Sequence, residues 1–199
     1  MTAKTVAIID GGGANIASLN FALARLGCSG ELTVDPARIS AASHVILPGV
    51  GDAADCMTRL RDANLVDLIG SLRQPFLGIC VGLQLLLDGS EENQARCIGV
   101  FPGLARRFAA ARGRPVPHMG WNRVHRRRES PLFADIPDGT HFYFVHSYAA
   151  DVTSDTLAST DYGRSFAAVL ERDNFVAAQF HPERSSRQGA QFLENFLRT

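Results

Sequence analysis

Cys80 and its neighbours form the segment of this chain whose residue types and spacing most clearly suggest chemistry. Positions 76–84 read Phe-Leu-Gly-Ile-Cys-Val-Gly-Leu-Gln, an apolar strand pattern that passes through Gly-x-Cys-x-Gly into a helical pattern. This is typical of a nucleophile elbow, a sharp turn in which flanking glycines relieve crowding around the nucleophile. Such a turn places the thiol at the amino end of a helix, where free N–H groups favour the thiolate. From this segment alone, a small buried cysteine at a strand end is an equally good interpretation.

His181 is the best-placed base for that thiol, because it ends an apolar strand pattern and Pro182 follows it directly. Glu183 has the right chemistry to bond the second ring nitrogen, which would fix the tautomer and stabilise the imidazolium. The sequence therefore predicts a catalytic triad of Cys80, His181 and Glu183. A surface or capping histidine is the simpler interpretation of His181 by itself, and the elbow outweighs it.

Acyl transfer through a thiol also needs donors for the developing oxyanion, and two backbone segments are candidates. The elbow supplies the N–H of the residue after the nucleophile, here Val81. Pro-Gly-Val-Gly at positions 48–51 follows the third predicted strand, so we expect Gly49, Val50 and Gly51 at the same edge of the sheet. An ordinary strand-exit turn explains this loop equally well.

The composition indicates one α/β domain over residues 1–199, since this length suits one hydrophobic core and is short for two. The apolar runs are shorter than the roughly 20 residues of a membrane span, and the first residues show no secretory signal, so we expect a cytoplasmic protein without membrane contact. Twenty basic and twenty acidic side chains cancel, which predicts no general attraction to nucleic acid. The spacing of the four cysteines suggests neither a metal site nor a disulfide framework.

The order of elements predicts a doubly wound, mostly parallel sheet. Strand patterns at 5–10, 31–34, 44–47 and 76–80 alternate with helical patterns. From about residue 98, short segments at 142–148, 166–170 and 176–180 predict antiparallel additions, and a helix over 188–197 closes the domain. The glycines at 11–13 lack the spacing of a dinucleotide site, and Asn15 is expected to cap the helix that follows.

With these motifs in this order, the chain resembles the triad-type (class I) glutamine amidotransferases over nearly its whole length. Three further segments are similar to one branch of that family, whose members pass ammonia to a cyclase of histidine biosynthesis: 116–122, 143–148 and 179–185. Val81 and Leu83 stand where Leu and Met are usual in this branch. Arg184 stands where Lys is usual, and the two are not interchangeable at specific contacts.

The resemblance implies that Cys80 attacks the side-chain carboxamide of glutamine, that His181 protonates the departing ammonia, and that water resolves the thioester to glutamate. The implied substrate contacts are Gln84, Glu92 and the backbone around His146, Ser147 and Tyr148. The implied interface residues are Asn15, Trp121 and Arg184, and Trp121 is expected to be a contact if its side chain is exposed. The implied partner is a (β/α)8-barrel cyclase in a heterodimer, and no cofactor or metal is implied.

Other functions remain open from the sequence. The chain could serve a different ammonia-using synthase, which identification of the partner in a pull-down would reveal. It could instead be a non-catalytic regulatory module with the same fold, which would not be alkylated at Cys80 by an electrophile that mimics glutamine. A free-standing cysteine peptidase is a further alternative, testable with peptide substrates.

Overall fold

The computed structural model describes residues 4–12 and 16–199. In its first part, strands and helices alternate: β1 (Thr5–Ile9), α1 (Ile16–Arg25), β2 (Ser29–Thr33), α2 (Pro36–Ala41), β3 (His44–Gly49), α3 (Ala53–Asp62), α4 (Val66–Ser71), β4 (Phe76–Cys80) and α5 (Val81–Leu85). The second part is mainly strands: β5 (Gly89–Ser90), β6 (Ala95–Arg96), β7 (Leu104–Arg107), β8 (His118–Arg126), β9 (Thr140–His146), β10 (Tyr148–Ala150), β11 (Thr156–Asp161), β12 (Ser165–Arg172), β13 (Phe175–Ala178) and the closing helix α6 (Ser186–Leu197).

The larger of the two sheets in the described residues has the strand order β2-β1-β3-β4-β13-β12-β11-β8-β9. The first five of these strands pair in parallel, and the remaining pairs are antiparallel. The predicted α/β fold with a parallel part and antiparallel additions is confirmed. One strand joins both parts: β13, predicted within the antiparallel region, pairs in parallel with β4 and antiparallel with β12.

A smaller sheet of order β10-β7-β5-β6 was not predicted, because strands of two to four residues carry too little pattern to detect. The predicted strand over 142–148 is interrupted at Ser147, because β9 belongs to the large sheet and β10 pairs with β7 in the small one. The chain therefore changes sheets at Ser147, one residue after His146.

The centre of the large sheet is buried on both faces, as expected for parallel strands covered by helices. Every residue of β3 and β4 is buried. The predicted closing helix is confirmed as α6, which buries Phe192, Leu193, Phe196 and Leu197. Phe192 packs on Phe180, the residue before His181, with ring centroids 5.2 Å apart. This packing fixes the backbone just before the predicted base. Within the described ranges, no helix is both long and apolar enough to cross a membrane.

Candidate active site

The carboxyl ends of β3, β4 and β13 meet at one edge of the sheet, because the three strands are adjacent and parallel. Gly49 is paired with Cys80, and Ala178 is paired with Ile79. This edge of the sheet therefore brings together three segments that lie far apart in the sequence: the loop at 48–51, the elbow and the His-Pro-Glu segment.

The strand-to-helix turn predicted at Cys80 is present, and its backbone is strained. Cys80 has φ 56° and ψ −107°, in a region that side-chain-bearing residues rarely adopt. Gly82 makes the turn possible, since a Cβ atom there would lie 1.9 Å from the carbonyl oxygen of Leu47 in β3. A Cβ at Gly78 would lie 2.8 Å from the carbonyl oxygen of Gly82. Only glycine allows β3, β4 and α5 to approach this closely, and the approach holds Cys80 at the strand end.

His181 and Glu183 form a buried pair beside the cysteine. His181 Nδ1 lies 2.9 Å from Glu183 Oε1, and the two side chains are 7% and 6% exposed. With the thiol neutral, its proton points to the carbonyl oxygen of Val145 at 3.7 Å, and His181 Nε2 has no hydrogen-bond partner among the described residues. Burial lowers the pKa of His181, but a negative charge on the nearby Cys80 and the hydrogen bond to Glu183 outweigh that effect and raise the pKa to about 10. The arrangement thus favours the protonated, imidazolium form of His181.

A cavity of about 390 Å³ opens over Cys80 and His181, which is a suitable size for a small molecule such as an amino acid. Its wall contains every residue predicted to contact substrate: Gln84, Glu92, His146, Ser147 and Tyr148. Three of the four residues predicted for the oxyanion hole, Val50, Gly51 and Val81, also line it, as do Pro117 and Val145. Gly49, the fourth, lies at the end of β3 opposite Cys80.

The loop after β3 is shaped by its glycines. A Cβ at Gly49 would lie 2.9 Å from Cβ of Val81, so glycine is needed where β3 passes the start of α5. Gly51 has φ +91°, a conformation that glycine adopts without strain. Both oxyanion candidates, the backbone of this loop and that of Val81, therefore border the same cavity as the sulfur.

Glu92 reaches the cavity from the short 3-10 helix Glu92–Gln94. Its Oε2 accepts a hydrogen bond from the backbone N–H of Ala53 at 3.0 Å, at the start of α3. Burial raises the pKa of this carboxyl, and the hydrogen bond from Ala53 opposes that effect. A carboxylate held in this way in a small cavity suits a cationic group of a ligand.

His146 does not offer a ring nitrogen to the cavity. Its Nδ1 donates to the carbonyl oxygen of Tyr148 at 2.8 Å, and its Nε2 accepts from His118 Nδ1 at 3.0 Å. His118 Nε2 in turn accepts from the side-chain amide of Asn122 at 3.2 Å. Burial lowers the pKa of His118 to about 4 and that of His146 to about 3, so both rings are neutral near pH 7. These bonds define both tautomers and hold the Tyr148 carbonyl in place.

His118 is the clearest functional residue without a role in the sequence-based prediction. It lies within the branch-like segment 116–122, but periodicity could not show that its ring would stack between Phe144 and Tyr162, at centroid distances of 5.1 and 4.0 Å. Gln179 is the second such residue, because its side-chain amide contacts the Cys80 sulfur.

Two of the three predicted interface residues, Trp121 and Arg184, are exposed on the surface. Trp121 in β8 is 52% exposed, as its predicted contact role requires, and Met119 two residues earlier is 63% exposed. The Arg184 guanidinium lies over the ring of Tyr143, 4.7 Å from the centroid. Asn15 lies outside the described residues. A contact of these residues with a partner stays a prediction.

Two of the other cysteines belong to the hydrophobic core. Cys56 and Cys97 are buried, and burial raises the pKa of each thiol to about 11. Such thiols are almost fully protonated at neutral pH and are poor nucleophiles. Both side chains pack in the hydrophobic core.

A strained cysteine, a buried imidazole–carboxylate pair and a cavity bordered by candidate oxyanion donors define a thiol-dependent acyl-transfer enzyme. The family model "Glutamine amidotransferase class-I" matches residues 7–199. The chain belongs to this family, which confirms the resemblance inferred from its motifs.

Curated relatives lie in one branch of the family. The protein named imidazole glycerol phosphate synthase subunit HisH of Xanthomonas euvesicatoria pv. vesicatoria is 49% identical over 192 residues, which are 96% of each chain. The protein of the same name from Xylella fastidiosa strain Temecula1 is 47% identical with the same coverage. The branch inferred from segments 116–122, 143–148 and 179–185 is therefore confirmed.

Solved structures agree on the fold. The PurLQS structure from Thermotoga maritima has a TM-score of 0.76 at 15% identity, with 99% of each chain covered. A glutamine amidotransferase from the same organism has a TM-score of 0.63 at 18% identity, and the match covers 98% of this chain and 82% of that one. At these identities the likeness shows the fold alone.

Proposed function

We propose that this chain is the glutaminase subunit of an imidazole glycerol phosphate synthase. It hydrolyses glutamine to glutamate and ammonia and delivers the ammonia to a (β/α)8-barrel cyclase, with which it forms a heterodimer in the cytoplasm. The cyclase uses the ammonia to make imidazole glycerol phosphate and an aminoimidazole carboxamide ribotide in histidine biosynthesis. One amidotransferase domain spans residues 1–199. The observation that carries the proposal is that Cys80 and His181 line one cavity, with Glu183 bonded to His181, in a chain 49% identical to a HisH protein.

Substrate binding follows from the cavity wall. The carboxylate of Glu92 pairs with the α-ammonium group of glutamine, which would otherwise enter the cavity unpaired. Gln84 uses its side-chain nitrogen to donate to the carbonyl oxygen of Tyr148 at 3.1 Å and to Gln179 at 3.4 Å. Its carbonyl oxygen is the atom left to accept from the ligand. These contacts direct the substrate carboxamide toward Cys80.

The first chemical step forms a C–S bond between Cys80 and the carboxamide carbon. The electron pair of the C=O bond moves to oxygen, and N–H groups of Val81 and of the loop at 49–51 stabilise the oxyanion. When the tetrahedral intermediate collapses, His181 gives its Nε2 proton to the amide nitrogen, the C–N bond breaks and the nitrogen departs as ammonia. Glu183 stabilises the imidazolium that exists before this transfer.

The second step regenerates the thiolate. His181 Nε2, now neutral, takes a proton from water as the water oxygen attacks the thioester carbon. Collapse breaks the C–S bond and releases glutamate, and His181 is again the imidazolium partner of the Cys80 thiolate. Both steps use the same base, the same oxyanion donors and the same cavity.

The test is glutamate release from glutamine by the purified chain, alone and with a barrel cyclase and its nucleotide ligand. We expect low activity alone, a steep rise with the liganded partner, and no activity in Cys80→Ala. Cys28→Ser is the matched control, because Cys28 is a free thiol away from the cavity wall, and it should keep wild-type activity. Activity unchanged by the cyclase would assign the chain to another synthase. No glutamate under any condition, with no alkylation of Cys80 by a glutamine-mimicking electrophile, would indicate a regulatory module.

A further inference from the structure

Gln179 places a buried amide against the nucleophile. The residue follows β13, is 0% exposed, and donates from Nε2 to Cys80 Sγ at 3.8 Å. Its Oε1 accepts from Gln84 Nε2 at 3.4 Å. Both polar ends of this side chain are thus used inside the protein, and one of them is directed at the reacting atom.

The orientation of the Gln179 amide is imposed by its neighbours. A backbone carbonyl can only accept hydrogen bonds, so the Tyr148 carbonyl requires the nitrogen of the Gln84 amide to face it. The same nitrogen then faces Gln179, which must present its oxygen there and its nitrogen to Cys80. The His146 ring also donates to the Tyr148 carbonyl and holds it in place. The donor at the sulfur is therefore defined by chemistry and not by an arbitrary amide assignment.

The two groups that contact the sulfur favour different protonation states. The Val145 carbonyl can accept from a neutral thiol, but it offers nothing to a thiolate. The Gln179 N–H can donate to a thiolate, and this hydrogen bond becomes stronger when the sulfur is charged. We propose that Gln179 is a positioning residue that holds the Cys80 sulfur by N–H donation and favours its thiolate form, with Gln84 setting the orientation of the amide.

Two substitutions separate this donation from packing. Gln179→Met keeps a similar length and removes the donor. Gln179→Glu keeps the shape and an acceptor for Gln84 but places a carboxylate against the sulfur. Apart from residue 179 itself, the titratable groups around Cys80 are the same in both variants: His181 with Glu183 on one side, and His146, Tyr148 and Glu92 in the cavity wall. The matched control is Gln74→Met, which removes an amide bonded to the Ile39 carbonyl.

The experiment is the rate of iodoacetamide alkylation of Cys80 against pH, followed on the Cys80 peptide by mass spectrometry. We expect Gln179→Met to react roughly tenfold more slowly at neutral pH, with its profile moved to higher pH, and Gln179→Glu to react more slowly still. In glutamine hydrolysis with the partner, kcat should fall by a similar factor and KM should stay within about twofold. Gln74→Met should match the wild type in all three quantities.

An unchanged alkylation profile in either Gln179 variant, measured below its own melting temperature, would overturn the proposal. The effect on turnover rests on the proposed glutaminase function, whereas the alkylation profile does not. A wild-type chain without glutaminase activity, but with variants slow to alkylate, would refute the function and support the positioning role. Variants that hydrolyse glutamine and keep the wild-type alkylation profile would support the glutaminase function and refute the positioning role.

Discussion

Replacing Gly82 by alanine would put a methyl group 1.9 Å from the carbonyl oxygen of Leu47. That oxygen belongs to the backbone of β3 and cannot rotate away as a side chain could. Ordinary contacts begin at 3.4 Å, so the start of α5 and the end of β3 would have to separate by about 1.5 Å. Overpacking of this kind costs about 3 kcal/mol of unfolding free energy. Because Cys80 lies between these elements, its sulfur would move too, and a displacement near 1 Å costs roughly a hundredfold in rate.

Urea unfolding and partner-activated glutamate release measure the two effects separately. Gly70→Ala is the matched control, since Gly70 lies within α4 and no described atom lies within 4 Å of a Cβ placed there. Alanine at that position should stabilise the protein by roughly 0.5–1 kcal/mol and leave activity unchanged. A Gly82→Ala protein as stable as the wild type, with activity within twofold, would refute the argument that close approach at the elbow requires glycine.

The remaining predictions concern charge, protonation and a helix cap. Glu183→Gln should lower kcat roughly a hundredfold or more with little change in KM, because the buried imidazolium loses its carboxylate; equal activity across pH 6–9 would contradict this. Acid should weaken folding between the ordinary histidine pKa of 6.5 and about 4, since the unfolded chain takes up protons there that buried His118 and His146 do not. His118→Phe, which keeps a ring at this position, should remove about 3 kcal/mol of that dependence in urea titrations. Asp52→Ala should cost about 1 kcal/mol in the same assay, because the Asp52 side chain caps α3 through the N–H of Ala54 at 2.7 Å, and no loss would exclude a capping role.

Much of this protein could be predicted from local pattern. An elbow is a short-range feature. Its apolar run, its two glycines and the start of its helical pattern all lie in the nine residues 76–84 around Cys80. The alternation of strands and helices implied a parallel sheet, and parallel strands place their carboxyl ends together. The sequence therefore predicted that three segments would lie close together: Cys80, the loop at 49–51 and His181.

Other features depend on contacts between segments that no local pattern links. Ser147 ends one strand because β10 pairs with β7, and that pairing joins residues about forty positions apart. The backbone around His146 was predicted to hold substrate, but nothing local indicated that the His146 ring would bond to His118 and to the Tyr148 carbonyl. Gln179 carried no sign of its contact with Cys80, because the contact spans ninety-nine positions.

The sequence by itself thus determined the fold class, the family and the candidate nucleophile, since these rest on short-range steric rules and on motifs in a given order. Only the tertiary structure decided which polar groups face the cavity and which face each other. The physical reason is that a buried donor or acceptor must be satisfied, and its partner is chosen by packing across the whole chain. The neutral His118–His146 pair and the oriented amide of Gln179 are the results of that choice.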